Sequence, residues 1–276
     1  MIIDAHQHFW KLDRGDYFWM SPDLGRIYRD YGPDDLRGHL VKGGVSKTVL
    51  VQAADSIAET QFMLQIAAKA EFVAGVVGWV GLDQRDSITM IDRLRAKSTL
   101  KGLRPMLQDI KDTDWILMPP VLKSLAHLEE VGLRFDALVQ PRHLEVLLEV
   151  AQRFPKLQIV VDHVAKPVMG NGALPDPAWE RGMRNLAALP NVYCKLSGMA
   201  TEAGRDWKID DLRPFADVVL DAFGPSKLMW GSDWPVAEMV TEYDTWLDTA
   251  WELTEGLSSA EQKEVFGGTA QRFYGL

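Results

Sequence analysis

His6 and His8 stand two residues apart behind Ile2, Ile3 and Ala5. Residues two apart in a strand share a face, so this spacing sets two imidazoles side by side. Such a pair suits a divalent metal ion or the polarisation of a carbonyl oxygen, and Asp4 precedes it. Far along the chain Asp233 follows the apolar run Leu228-Met229-Trp230, between Ser232 and Trp234. A carboxylate there can bind metal, act as general base on a water, or do both; the same setting of Ser, Asp and Pro also suits a helix cap. His163 follows Val160-Val161-Asp162 and becomes a third candidate once the first pair and Asp233 are set beside it. Asp162 is its candidate orienting partner, against the rule that strand neighbours point to opposite faces. Arg104 ends Leu100-Lys101-Gly102-Leu103, where a guanidinium could hold a carboxylate, stabilise an oxyanion or form a rim salt bridge. Lys195 and Ser197 share a face of a further run, and Asp136 sits in an earlier one. A buried lysine needs a charged partner, and either a structural pair or a substrate contact satisfies that need.

These groups need a scaffold that brings distant segments together. Eight short apolar runs read as strands: 1–5, 47–52, 73–80, 100–106, 133–139, 157–162, 191–197 and 227–231. Several, such as Thr48-Val49-Leu50-Val51 and Ile159-Val160-Val161, are nearly continuous, as in parallel strands covered on both faces. Amphipathic runs separate them. Leu144, Leu147, Leu148, Ala151 and Phe154 fall on one helical face after Pro141, and Tyr243, Trp246, Leu247, Ala250 and Trp251 repeat the pattern. Strand–helix alternation implies a parallel sheet, and eight units predict a (β/α)8 TIM barrel in the α/β class. The competing open, doubly wound sheet carries a glycine-rich phosphate turn after its first strand; here His6-Gln7-His8-Phe9-Trp10 stands in that place. In a barrel, reactive groups gather at the C-terminal ends of the strands, where His6, His8, Arg104, His163, Lys166 and Asp233 all fall. One domain over 1–276 is expected, with long segments at 9–35 and 164–177 lying over the active face.

The chain carries 39 acidic and 30 basic side chains, a net charge of −9. That balance, with no basic stripe, argues against a nucleic-acid or anionic-membrane partner. No apolar run approaches the roughly 20 residues of a spanning helix, and the N-terminus lacks the basic start and apolar stretch of a secretion signal. A cytoplasmic location is the expectation. Cys194 is the single cysteine, which excludes an internal disulfide framework and is read as a packed thiol. No Gly-x-Ser-x-Gly elbow and no phosphate-binding glycine loop occur. Among the ten tryptophans, Trp10, Trp19 and Trp234 are candidates to line a pocket, and the rest read as packing. His39, His127 and His143 are given no role.

Four segments together resemble the amidohydrolase superfamily: Ile3-Asp4-Ala5-His6-Gln7-His8-Phe9-Trp10, Asp162-His163-Val164-Ala165-Lys166-Pro167, Asn191-Val192-Tyr193-Cys194-Lys195-Leu196-Ser197-Gly198 and Trp230-Gly231-Ser232-Asp233-Trp234-Pro235. Within its amidohydrolase 2 branch the likeness is to sugar-lactone and muconolactone-type hydrolases, such as those opening L-fuconolactone or L-rhamnonolactone in L-fucose and related sugar degradation. The resemblance implies a barrel that hydrolyses a lactone, with Asp233 activating water, His6, His8 and His163 polarising the carbonyl, and Arg104 contacting substrate oxygen or carboxylate. The metal-rich members place a carboxylated lysine or glutamate and another histidine on the middle strands; here those strands offer Arg104 and Asp136, so a two-metal centre is not expected. One divalent ion, zinc first among the candidates, would bind His6, His8, His163 and Asp233; metal-independent turnover is the alternative. Two other readings stay open: a zinc-dependent decarboxylase of a small unsaturated acid, and a barrel that binds a small acid or sugar without turning it over.

Overall fold

The computed structural model describes residues 1–276. Its strands are β1 Ile2–Gln7, β2 Val45–Val51, β3 Val73–Gly78, β4 Leu100–Leu103, β5 Arg134–Ala137, β6 Ile159–Val161, β7 Val192–Leu196 and β8 Leu228–Trp230. They pair in sequence order, each parallel to the next. The helices are α1 Pro33–Gly43, α2 Ile57–Ala67, α3 Ser87–Arg95, α4 Pro119–Val131, α5 Leu144–Arg153, α6 Pro177–Ala187, α7 Met199–Ala203, α8 Ile209–Phe223, α9 Tyr243–Leu253, α10 Ser259–Lys263 and α11 Thr269–Tyr274. This is the (β/α)8 barrel that the alternation predicted, with every expected strand present and most a few residues shorter than expected.

Local chemistry starts and stops the helices. Ser56 caps α2 by accepting from Glu59 N–H at 2.9 Å, and Asp176 caps α6 by accepting from Ala178 N–H at 2.7 Å, with Pro177 opening the helix. Caps of this type are worth about 1 kcal/mol each. α5 buries Leu144, Leu147 and Ala151 of the stripe its sequence predicts, with Val150 buried beside them and the expected Leu148 only half-buried. Pro33 begins α1, so the long first loop ends at Gly32, short of the expected 35. The second loop closes at Asp176, where the cap is.

Barrel and helices share a large apolar layer outside the strands. Inside the barrel a smaller cluster fills the lower half: Ile3, Ala5, Val49, Val51, Val77, Val160 and Met229, sealed from below by Ala270, Phe273 and Tyr274 of α11.

The alternation of β1 changes halfway. Asp4 pairs with Thr48 and Gln7 with Leu50, so three steps on β1 match two on β2. This β-bulge reverses the facing of the residues after it. Ile3 and Ala5 face the interior, and after the bulge so do His6 and His8, while Gln7 turns out to donate to Thr48 Oγ1 at 3.1 Å. The seam between β8 and β1 is closed just past the strand ends. His8 N–H donates to Trp234 O at 2.7 Å, and Asp233 N–H donates to His6 O at 2.8 Å. The buried carboxylate of Asp4 fastens the same seam by accepting from Ser232 N–H at 2.8 Å and His6 N–H at 3.1 Å.

Candidate active site

The seam sets Asp233 against the β1 imidazoles. Asp233 Oδ1 lies 3.2 Å from His8 Nε2, 3.7 Å from His6 Nε2 and 3.8 Å from His163 Nε2. The Nε2 atoms of His6 and His8 are 3.2 Å apart. All four side chains are buried. His8, His163 and Asp233 border a cavity of about 440 Å³, together with Arg104, Lys166, Asp16, Phe18 and Trp19. That volume is in the range of small-molecule sites, roughly 300–1,000 Å³.

His163 is presented by an unusual stretch of backbone. His163, Val164, Ala165 and Lys166 all have positive φ, between 47° and 62°. A left-handed conformation costs an L-residue roughly 1–2 kcal/mol, so four in succession are held by their surroundings. Trp179 Nε1–H donates to Val164 O at 2.9 Å, and Lys166 N–H donates to His163 O at 2.8 Å. The ring of His163 packs on Gly198, itself at φ 65°, where a Cβ would stand 2.6 Å from His163 Nδ1. Gly231 makes the same room for His6, since a Cβ there would lie 2.7 Å from His6 Cβ. Asp233 also has positive φ, 56°. Strain of this kind collects at functional sites.

Second contacts orient each imidazole. His8 Nδ1 sits 2.8 Å from Val51 O, an acceptor only, so Nδ1 carries the proton and Nε2 turns to the centre as a lone pair. His163 Nδ1 is 2.9 Å from Ser197 Oγ, which leaves its Nε2 for Asp233. His6 Nδ1 faces both the Lys195 ammonium at 3.1 Å and Asp162 Oδ1 at 3.6 Å.

Below these rings lies a closed ionic network. Lys195 Nζ donates to Asp136 Oδ2 at 2.5 Å and pairs with Asp162 Oδ1 at 2.9 Å, with no solvent exposure for any of the three. Arg104 pairs with Asp162 Oδ2 at 3.3 Å and donates to Gln52 O, while Gln52 Nε2–H returns a bond to Arg104 O at 2.7 Å. Arg104 is thus both a cavity-lining residue and a salt-bridge partner; its buried Nε–H has no partner.

The electrostatics follow from burial and from these neighbours. Burial pulls His163 down to about 4, although Asp233 and Asp162 oppose it. Burial, then the nearby Lys195 charge, holds His6 well below the usual imidazole value. Burial raises the Asp233 carboxyl, but the imidazoles of His163, His8 and His6 overcome it and hold the group below its ordinary range. Burial likewise opposes ionisation of Asp162, and Lys195, His6 and Arg104 outweigh it. At neutral pH the centre therefore offers an ionised Asp233 beside neutral His6 and His163. Nitrogen donors with one carboxylate are the set that zinc-type ions take. His6, His8 and Asp233 lie close enough together to hold one cation.

Several sequence expectations need correction. Asp162 does not orient His163: the chain turns left-handed between them, so Asp162 serves His6, Lys195 and Arg104, and Ser197 serves His163. Lys195 is a buried structural partner and not a substrate contact. Trp10 is fully buried behind the cavity wall, its Nε1–H donating to Arg29 O at 2.7 Å and its ring edge-on to Trp19 at 5.5 Å. Trp234 is equally enclosed, bonded to Glu238 Oε1 at 2.9 Å and edge-on to Tyr31. Of the three tryptophans only Trp19 reaches the cavity, fixed by a 2.7 Å bond from Nε1–H to Ala53 O. Gln52, Asp16, Asp55 and Tyr274 were not anticipated. Gln52 ends the second apolar run, and the search for polar residues at strand ends could have found it; Tyr274 gives no such signal.

Comparison with known proteins places the chain in a family. A family model described as amidohydrolase matches residues 3–276. An L-fucono-1,5-lactonase of Burkholderia ambifaria is 44% identical over 99% of this chain and 94% of its own length. An L-fucono-1,5-lactonase of Burkholderia multivorans is 36% identical over 99% of this chain and 96% of its own. A crystal structure of an amidohydrolase from Burkholderia multivorans with bound zinc superposes with a TM-score of 0.93 at 35% identity, covering 100% of this chain and 99% of that one. From its first imidazole pair to its last-strand aspartate, the chain belongs to the amidohydrolase family.

Proposed function

We propose that the protein is a lactone hydrolase that opens a small sugar lactone resembling L-fucono-1,5-lactone to the aldonic acid. The observation that carries this reading is the approach of Asp233 Oδ1 to within 3.8 Å of three imidazole nitrogens at the floor of one cavity. The full-length relatives that are lactonases support it.

Asp233, ionised and buried, takes a proton from a water as the water oxygen bonds to the ring carbonyl carbon. Arg104, which borders the cavity, is placed to contact the substrate oxygen on which negative charge develops, and His6, His8 and His163 stand around the same centre. The ring C–O bond then breaks, and the departing ring oxygen receives the proton that Asp233 collected. The products balance as one hydroxy acid from lactone and water. Trp19 offers a flat apolar wall to one sugar face. A divalent cation such as zinc, held by His6, His8, His163 and Asp233, would supply Lewis-acid polarisation of the carbonyl. An ester carbonyl is electrophilic enough that protein donors alone are the alternative.

The decarboxylase reading has less support, since the relatives at 44% and 36% identity are both lactonases. A pH-indicator screen of neutral aldonolactones, run with and without a chelator, tests the proposal. Acid release above the spontaneous rate is expected with at least one 1,5-lactone. No acceleration across the panel, with the lactone bound unchanged, would replace the enzyme with a binding protein.

A further inference from the structure

The charges around the cavity are arranged unevenly. Four carboxylates border it, Asp16, Asp55, Asp109 and Asp233, against two cations, Arg104 and Lys166. Both cations are already matched by carboxylates that do not border the cavity. Arg104 pairs with Asp162 at 3.3 Å, and Lys166 Nζ pairs with Glu202 Oε1 at 3.0 Å. Deeper in, Arg104 and Lys195 together face Asp136 and Asp162, so that the buried network is balanced within itself. Asp16 is held by Arg14 at 2.6 Å and by Ser56 Oγ–H at 2.7 Å. Asp55 and Asp109 are exposed and have no cationic partner.

We infer that this cavity selects uncharged lactones over carboxylate-bearing ones and repels its own product, with Asp55 and Asp109 as the residues that set this preference. The inference rests on the lactonase reading above. Hydrolysis turns a neutral ring into a carboxylate, which forms beside the restored Asp233 charge and leaves past two unpaired aspartates. No uncommitted side-chain cation stands in its way to retain it. A cation held at the imidazoles leaves the rim charges as they are. Like charges within a Debye length, about 10 Å at 0.1 M salt, act on both entry and exit, and salt screens them where they are exposed.

The test uses the protein with its metal content held constant and compares wild type with the D55N/D109N double variant. The substrates are a neutral aldono-1,5-lactone and an aldarolactone carrying one additional carboxylate, and binding of the aldonate product is measured by calorimetry. The wild type is expected to prefer the neutral lactone in kcat/KM. In the variant that preference falls about fivefold and aldonate binds about fivefold tighter, with both differences shrinking at 0.5 M salt, as expected of exposed charges. An unchanged preference together with unchanged aldonate affinity overturns the inference. If neither lactone is turned over, the lactonase reading fails on its own, and the aldonate binding arm still decides the charge effect.

Discussion

The phenol of Tyr274, two residues from the end of the chain, donates a 2.6 Å hydrogen bond to Oδ2 of Asp136 inside the barrel. The same oxygen receives Lys195, and Lys195 touches His6. The last helix therefore supports the first imidazole through two intermediates. Removing the phenol takes one donor from a buried carboxylate, which costs about 1.5–3 kcal/mol. Tyr274→Phe should lower the urea-unfolding free energy by that amount while kcat/KM falls less than tenfold. Lys195→Met strands two carboxylates and should cost about 3–5 kcal/mol, with much lower soluble yield. A Tyr274→Phe protein as stable as wild type would show that the contact is idle.

Asp233→Asn keeps the shape of the side chain and removes its basicity. The lactonase rate should fall about 10²- to 10⁴-fold, the usual range for a positioned acid–base group, with an unchanged circular dichroism spectrum. Retained turnover in this variant would move the role of base to another residue.

The acid limb of the activity profile should lie well below the usual imidazole pKa. Burial lowers His163 to about 4 and lowers His6 too, so both bind protons only at a pH below that of free histidine, about 6.5. Neutral imidazoles then persist as pH falls through 6.5, and activity drops on approaching 4. A kcat/KM profile that breaks near 6.5 would contradict this assignment.

Gly198→Ala places a methyl group 2.6 Å from His163 Nδ1 at a residue with φ of 65°. Either the ring or the turn must move. Activity should fall at least tenfold, with a stability loss of about 1–3 kcal/mol, and Gly198→Ser should be no better. Kinetics and thermal unfolding on the same preparation separate the two effects.

Dialysis against a strong chelator should strip any divalent ion held by His6, His8, His163 and Asp233. Elemental analysis before and after, with activity restored by zinc, measures the contribution of the metal. His8→Ala should then retain less zinc than wild type, because it deletes one of the buried nitrogens around Asp233.

Much of the barrel was legible because each strand is a short apolar run and β-strand burial on both faces leaves that signature. The candidate set was legible for a related reason: polar residues at the ends of such runs, His6, His8, Arg104, His163 and Asp233, are conspicuous. The aromatic positions were not. Trp10, Trp19 and Trp234 look alike in sequence, and only packing decides that Trp19 alone faces the cavity. The pairing of Asp162 depended on four left-handed residues in a row, which no local propensity predicts for His-Val-Ala-Lys. Tyr274 reaches Asp136 across half the length of the chain, a link that requires the closed barrel to exist.

The closure of β8 against β1 by His8 with Trp234 and by Asp233 with His6 gives the enzyme an all-or-nothing birth. During synthesis the imidazole pair leaves the ribosome early and waits for a carboxylate that lies 225 positions downstream of His8. Until that turn docks, the imidazoles of β1 lack the carboxylate that the proposed chemistry requires. By the same logic, opening this seam alone should silence the centre, whether or not the remaining strands come apart.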